Sequence, residues 1–198
     1  MLTTSFSQRH TPSRAVRARR SSAGFTLVEI LAVVVILGIA SAIIIPNMGT
    51  RDDLRTAAGA RQLVADLIYA QNQAITTGKM VYVKFDIANN KYTLLTNANS
   101  GGDTAMTNPI TQVSYVRSFG PNVSGWETVS LQSSVLNGTD ATYTSMYTLA
   151  FDELGSPYVF RYSDNSTNDL NSGSIVIQSG TFTSTVSVAP ATGELTVQ

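Results

Sequence analysis

The sequence predicts an α+β protein: one long N-terminal helix, half apolar and half amphipathic, packed on an antiparallel β-rich globular head. Three observations carry this. From Phe25 to Ile45 only Thr26, Glu29 and Ser41 are polar. From Leu54 to Ile75 apolar residues return at helical spacing. From Met80 onward the chain alternates apolar and polar residues in short runs separated by Gly, Asn, Ser and Pro.

The apolar stretch comes first because its length is diagnostic. Its 21 residues would make a helix of roughly 32 Å, enough to cross a bilayer's hydrocarbon core. It has no polar face, which suits lipid on all sides. Gly38 and Pro46 are tolerated in such a helix when neighbouring helices cover the backbone. Glu29 breaks the pattern: a carboxylate in a membrane helix is costly and calls for a cation as partner. A protease cut after Ser21-Ser22-Ala23-Gly24 would give Phe25 a new protonated amine, four residues from Glu29 on the same helix face. In a stack of such helices one subunit's Glu29 can pair with the next subunit's amine. At 4 Å and an effective dielectric near 20 the attraction is on the order of 4 kcal/mol before desolvation. This chemistry is that of self-assembly, with no catalytic step.

The segment Gly24-Phe25-Thr26-Leu27-Val28-Glu29, followed by its apolar run, resembles the class III signal of type IV prepilins and type II secretion pseudopilins. The resemblance implies a pilin-like fold, cleavage between Gly24 and Phe25 by a membrane prepilin peptidase, methylation of Phe25, and assembly roles for Glu29 and Pro46. It implies no cofactor and no enzymatic activity. Implied partners are the prepilin peptidase/methylase, other major and minor pseudopilins, and the inner-membrane platform of the secretion system.

Residues 1–24 form a leader with Arg9, Arg14, Arg17, Arg19 and Arg20 and no acid. By the positive-inside rule the N-terminus stays cytoplasmic and the head is exported, giving a single pass through a bacterial inner membrane and a periplasmic head. An ordinary signal peptide cut near Ala40-Ser41-Ala42 is the competing reading, and it leaves Glu29 unexplained. The leader takes five of the 13 basic side chains, leaving eight against 13 acids, a formal charge of −5. Nucleic acid is therefore not expected among the partners. His10, the single histidine, leaves with the leader, and there is no cysteine. The remaining chain can build neither a His/Cys zinc site nor a Ser-His or Cys-His nucleophile pair.

The membrane half is taken as 25–46 and the amphipathic half as 47–78, with Leu54, Ala57, Ala58, Val64, Leu67, Ile68, Ala74 and Ile75 as apolar positions. Arg55, Arg61, Gln62, Asp66 and Gln73 fill polar ones, and Gly78 stops the helix. The head, 79–198, begins with a hairpin, Met80–Ile87 and Lys91–Thr96. Further strands are expected at 112–119, 128–135, 142–151, 158–162, 174–178, 181–188 and 194–197, with turns at Asn137-Gly138 and Ser179-Gly180 among others. The helix ending near Gly78, this hairpin, Phe151-Asp152-Glu153-Leu154-Gly155-Ser156-Pro157 and the end Thr192-Gly193-Glu194-Leu195-Thr196-Val197 are similar to the GspH/FimT group of minor pseudopilins and minor pilins. That group implies a subunit of a type II secretion pseudopilus or, alternatively, a minor type IV pilin in pilus priming or DNA uptake.

Three other constellations carry less. Asp164-Asn165-Ser166-Thr167-Asn168-Asp169 offers oxygen ligands but lacks the EF-hand's central Gly and closing Glu, so it reads as a solvated loop and no metal is assigned. Asp152-Glu153, as neighbours in a strand, would point to opposite faces and make no acid/base pair. Trp126, Tyr143, Tyr147, Tyr158 and Phe160 could stack on bases, but only Arg117 and Arg161 accompany them, which favours core packing.

Overall fold

The computed structural model describes residues 24–47 and 51–198, without the side chains of 42–47. The basic leader up to residue 23 and residues 48–50 lie outside the described residues. The described chain falls into two compact units.

The first unit is helix α1, Leu27–Asn47, with Glu29 in its first turn. Its described apolar side chains are largely exposed, Phe25 and Leu27 at 78 and 82 %. Among the described residues no helix is long and apolar enough to cross a membrane. The last four residues of the predicted apolar stretch contribute no described side chains.

The second unit is the head. Helix α2, Asp52–Thr77, ends at Gly78 in the left-handed conformation (φ 61°), where a Cβ would be strained. Strands follow: β1 Val81–Asp86, β2 Lys91–Asn97, β3 Thr104–Ala105, β4 Val116–Ser118, β5 Val129–Gly138, β6 Thr148–Phe151, β7 Pro157–Arg161, β8 Ser166–Ser179, β9 Phe182–Val188 and β10 Leu195–Val197. All pair antiparallel in the order β10-β9-β8-β7-β6-β1-β2-β3, with β4 also on β2 and β5 on β8. The head is thus α+β, a helix on an antiparallel sheet.

Strand β8 organises the sheet. Its first residues, Ser166–Asp169, pair with β7, while the rest lies between β5 and β9. The predicted loop 164–169 is corrected accordingly: Asp164 and Asn165 make the turn, and Ser166–Asp169 are strand because β7 supplies their backbone partners. Asn137 and Gly138 are likewise the end of β5 rather than a turn. Two predicted strands shrink because side chains capture the backbone first. Asn108 Oδ1 accepts from the amides of Ile110 and Thr111, so the strand expected from Gln112 begins only at Val116. Asp140 Oδ1 accepts from Thr142 N, and the strand expected from Thr142 begins at Thr148. Asp152 and Glu153 lie in a turn, not a strand, with Asp152 Oδ1 accepting from the amides of Leu154 and Ser156.

The core lies between α2 and the sheet. Ala60, Leu63, Leu67, Ala70 and Ala74 are fully buried against Val83, Tyr92, Leu149, Ile175 and Val186, among others. Each buried Leu contributes about 1.5–3 kcal/mol. A second, smaller cluster of Leu95, Ala98 and Phe160 sits with Tyr82 and Tyr162. Small residues let the helix approach: at Gly59 a Cβ would lie 3.1 Å from Ile177 and 3.3 Å from Val129. Gly59→Val is therefore expected to destabilise the head by about 1–3 kcal/mol through overpacking, read as a lower unfolding midpoint of the detergent-solubilised chain.

Candidate functional site

The start of α1 is built as a capped helix. Thr26 Oγ1 accepts from the Glu29 backbone N–H at 3.2 Å, and Thr26 O accepts from the amides of Glu29 and Ile30. Thr26-Leu27-Val28-Glu29 has the spacing of a capping box. Sequence reading treats Thr26 only as a polar residue in an apolar run; its distance of three from Glu29 was the signal for the cap. Glu29 lies in the first turn, where a negative charge complements the helix dipole. Its carboxylate is exposed, and among the described residues no cation pairs with it. Gly24 and Phe25 precede the helix in an exposed segment without regular structure, which a protease can reach. Pro46 falls in the last turn of α1, without a described side chain.

The head carries two buried carboxylates, both on α2. Asp66 is 3 % exposed. Tyr92 Oη donates to its Oδ2 at 2.6 Å and Tyr115 Oη to its Oδ1 at 3.0 Å. Arg117 Nε donates at 3.2 Å and Gln62 Nε2 at 2.9 Å. A buried ion is stable only with such a full set of partners. The cluster joins α2 to β2, to β4 and to the segment before β4. Burial pushes the Tyr92 hydroxyl well above its ordinary range, with the Asp66 charge and hydrogen bond adding to it. For Tyr115 the same causes, burial first, raise it to about 12. Burial alone would lower Arg117, but Asp66 outweighs it and the guanidinium is held more firmly protonated.

Asp52, in the first turn of α2, is the other. The hydroxyls of Thr128 and Ser179 lie 3.1 and 3.0 Å from its Oδ1, and Thr56 Oγ1 donates to its backbone carbonyl at 2.8 Å. Both ends of α2 are therefore pinned, since at the far end Gln71 Nε2 donates to Gly155 O at 2.8 Å. Neither carboxylate faces an open cleft with a nucleophile or base; both are structural ties.

The other candidates are dispersed. Asp164 accepts from Arg161 and from Ser166 Oγ, which hold it well below the usual carboxylate range. Among the described residues no group of acids is arranged to hold a metal ion. The five aromatic residues are not brought together as a platform. Tyr143 and Phe160 are buried, Trp126 packs edge-on against Phe119, and Tyr147 stacks on Tyr162. Arg161 is spent on Asp164 and the Tyr143 ring, Arg117 on Asp66.

Residues 19–45 match the family model described as the prokaryotic N-terminal methylation motif. Residues 59–193, most of α2 and nearly all of the head, match that of type II transport protein GspH. The chain belongs to the GspH family. Its members are structural pseudopilin subunits of type II secretion, and this chain is one of them. The motif and the family imply processing by a prepilin peptidase and assembly with other pseudopilins. Among solved structures, the minor pseudopilin EpsH from the Type 2 Secretion System of Vibrio cholerae is similar over 73 % of this chain and 96 % of that one, at 14 % identity and a TM-score of 0.47. Likeness at that level carries no argument of its own. No protein of curated function matches the sequence.

The Asp66 cluster gives this GspH subunit a testable signature. Asp66→Ala leaves Arg117 and two tyrosine hydroxyls without their acceptor and is expected to cost about 3 kcal/mol or more. In the intact protein the raised tyrosines keep protons that the unfolded chain sheds, so stability is full below the ordinary tyrosine range near pH 10 and falls as pH rises toward 12. Thermal unfolding followed against pH should show this alkaline loss, and it should shrink when Tyr92 and Tyr115 are both changed to Phe.

Proposed function

We propose that this GspH-type minor pseudopilin acts by being drawn out of the inner membrane into a short periplasmic filament, which pushes folded proteins toward an outer-membrane channel. The observation that carries the reading is the pairing of two features in one chain. A capped, apolar α1 presents Glu29 within a methylation motif, and a compact head of one helix on an antiparallel sheet follows it in the chain. In this mechanism the peptidase cuts between Gly24 and Phe25 and Phe25 becomes the N-methylated terminus. The protonated amine so exposed is the cation for the Glu29 carboxylate of an adjacent subunit. A charge pair taken into an apolar helix bundle has few competing partners, so it fixes the axial register of subunits. Pro46 ends the membrane segment and marks where the chain leaves the bundle.

The anchor is the apolar stretch from Phe25 to Ile45, with the basic leader holding the N-terminus in the cytoplasm and the head in the periplasm. The inner-membrane platform of the secretion system is the machine that would extract the subunit.

Processing is tested by the intact mass of the chain purified from its host membrane. It should begin at Phe25 and be heavier by one methyl group. A chain beginning at Ile43 would show an ordinary secreted protein instead.

Function is tested by the secreted-protein profile of a strain lacking the chain, complemented with wild type or with Glu29→Ala. Exported enzymes should accumulate in the periplasm in the deletion and in the Glu29→Ala strain, with surface pili intact. Normal secretion with loss of pili, twitching or DNA uptake would replace this reading with that of a minor pilin.

A further inference from the structure

Helix α2 has a second face that the head leaves uncovered. Between Leu54 and Ile75 the exposed positions are 54, 58, 61, 65, 68, 72 and 75, and every other residue of that span is buried or half-buried. The steps are four and three in strict alternation, a single line at the 3.5-residue repeat by which one helix packs on another. The line reads Leu54, Ala58, Arg61, Ala65, Ile68, Asn72, Ile75. A solvated helix face normally carries charge; here five of seven positions are apolar, and Leu54, Ile68 and Ile75 are 57, 44 and 49 % exposed. The turn holding Leu154, itself 81 % exposed, abuts Ile75 through Gly155 and extends the apolar strip.

Two polar residues interrupt the strip. Arg61 makes no ion pair or hydrogen bond with any described residue, whereas Arg55, Arg117 and Arg161 are engaged with Glu127, Asp66 and Asp164. The residues three and four away from Arg61 are Ala57, Ala58, Val64 and Ala65, so its own helix offers no acid. Asn72 likewise has no hydrogen-bond partner among the described residues. The strip contains no carboxylate at all.

We infer that this face is the seat of a helix from a different pseudopilin, one that places a carboxylate opposite Arg61 and an amide or hydroxyl opposite Asn72. The two symmetric pairings of a second copy leave the polar residues unmatched. Parallel in-register pairing would set Arg61 against Arg61. Antiparallel pairing about Ala65 would set Arg61 against Ile68 and Asn72 against Ala58, burying a guanidinium and an amide without partners. A lone polar residue in an apolar seam selects partner and register in this way, because the mismatched pairings leave it unsatisfied. The inference rests on the pseudopilin reading and adds to it the chemistry of the neighbour.

The chain contains no cysteine, so Ala65→Cys reports this face alone. In membranes of cells making the whole secretion apparatus, the full-length Ala65→Cys chain is oxidised against single cysteines placed along the helices of each other pseudopilin. A disulfide to one of them is expected. Its yield should fall about tenfold with Arg61→Glu, persist with Arg61→Lys, and return when the facing acid of that partner is changed to Lys. Arg61 is exposed and makes no hydrogen bond or ion pair with any described residue, so the unfolding midpoint of Arg61→Glu should equal that of wild type. Bridging mainly between copies of this chain, no bridge to any other pseudopilin, or a yield indifferent to Arg61→Glu would each overturn the inference. If deletion of the chain leaves export intact while the Arg61-dependent bridge forms, it is the secretion reading that fails; if deletion stops export and the bridge ignores Arg61, only the partner chemistry fails.

Discussion

Helix α2 lies on the sheet through one stripe of small and branched residues, Ala60, Leu63, Leu67, Ala70 and Ala74, all without solvent exposure. A helix presents only one side to one sheet. With that side buried, whatever lies opposite is left to solvent or to another molecule. The head, the pinning of the helix ends and the open strip of Leu54 to Ile75 all follow from this one contact. Because Gly59 and three alanines line it, the helix sits close to β5 and β8, and the long strand β8 can run beneath it from one half of the sheet to the other.

Within that contact Asp66 occupies a position that spacing alone assigns to the solvent side. Burying a carboxylate costs several kcal/mol unless every lone pair finds a donor. Here, besides Gln62 on the same helix, donors come from residues 26, 49 and 51 positions further along the chain. Nothing local announces them. What the cluster adds is position: it ties the excursion between β3 and β5, which has little regular structure, to the rigid helix. Asp52 does the same for the turn after β8 and the residue before β5. An apolar residue at either site would pack, but it would not fix which loop lies against it.

The N-terminal methylation motif was the most legible part. Its signal is local and covalent: a cleavage motif, an apolar run and one acid at a fixed spacing need no tertiary partner to be read. The hairpin of β1 and β2 was equally plain, because strict alternation from Val81 to Asp86 leaves one buried face and one half-buried. The strands read less well where Asn108 and Asp140 turn the backbone aside, since a polar side chain that captures its neighbours' amides looks the same in sequence as one that does not. Spacing left the role of Leu54, Ile68 and Ile75 open for a different reason. They share helical spacing with the core residues, and periodicity alone does not say which of two apolar stripes the sheet covers.

The sequence by itself determined the methylation motif with its apolar run and single acid, and that a helix and an antiparallel sheet follow them. Those properties reside in composition and in spacings of a few residues. Only the tertiary structure decided which face of α2 is inside, that Asp66 is buried and Arg61 is not, and that β8 is one strand of 14 residues rather than a short run after a loop. Each of these depends on groups far apart in the chain meeting in space, and the free energy of burial belongs to the meeting and not to either residue alone.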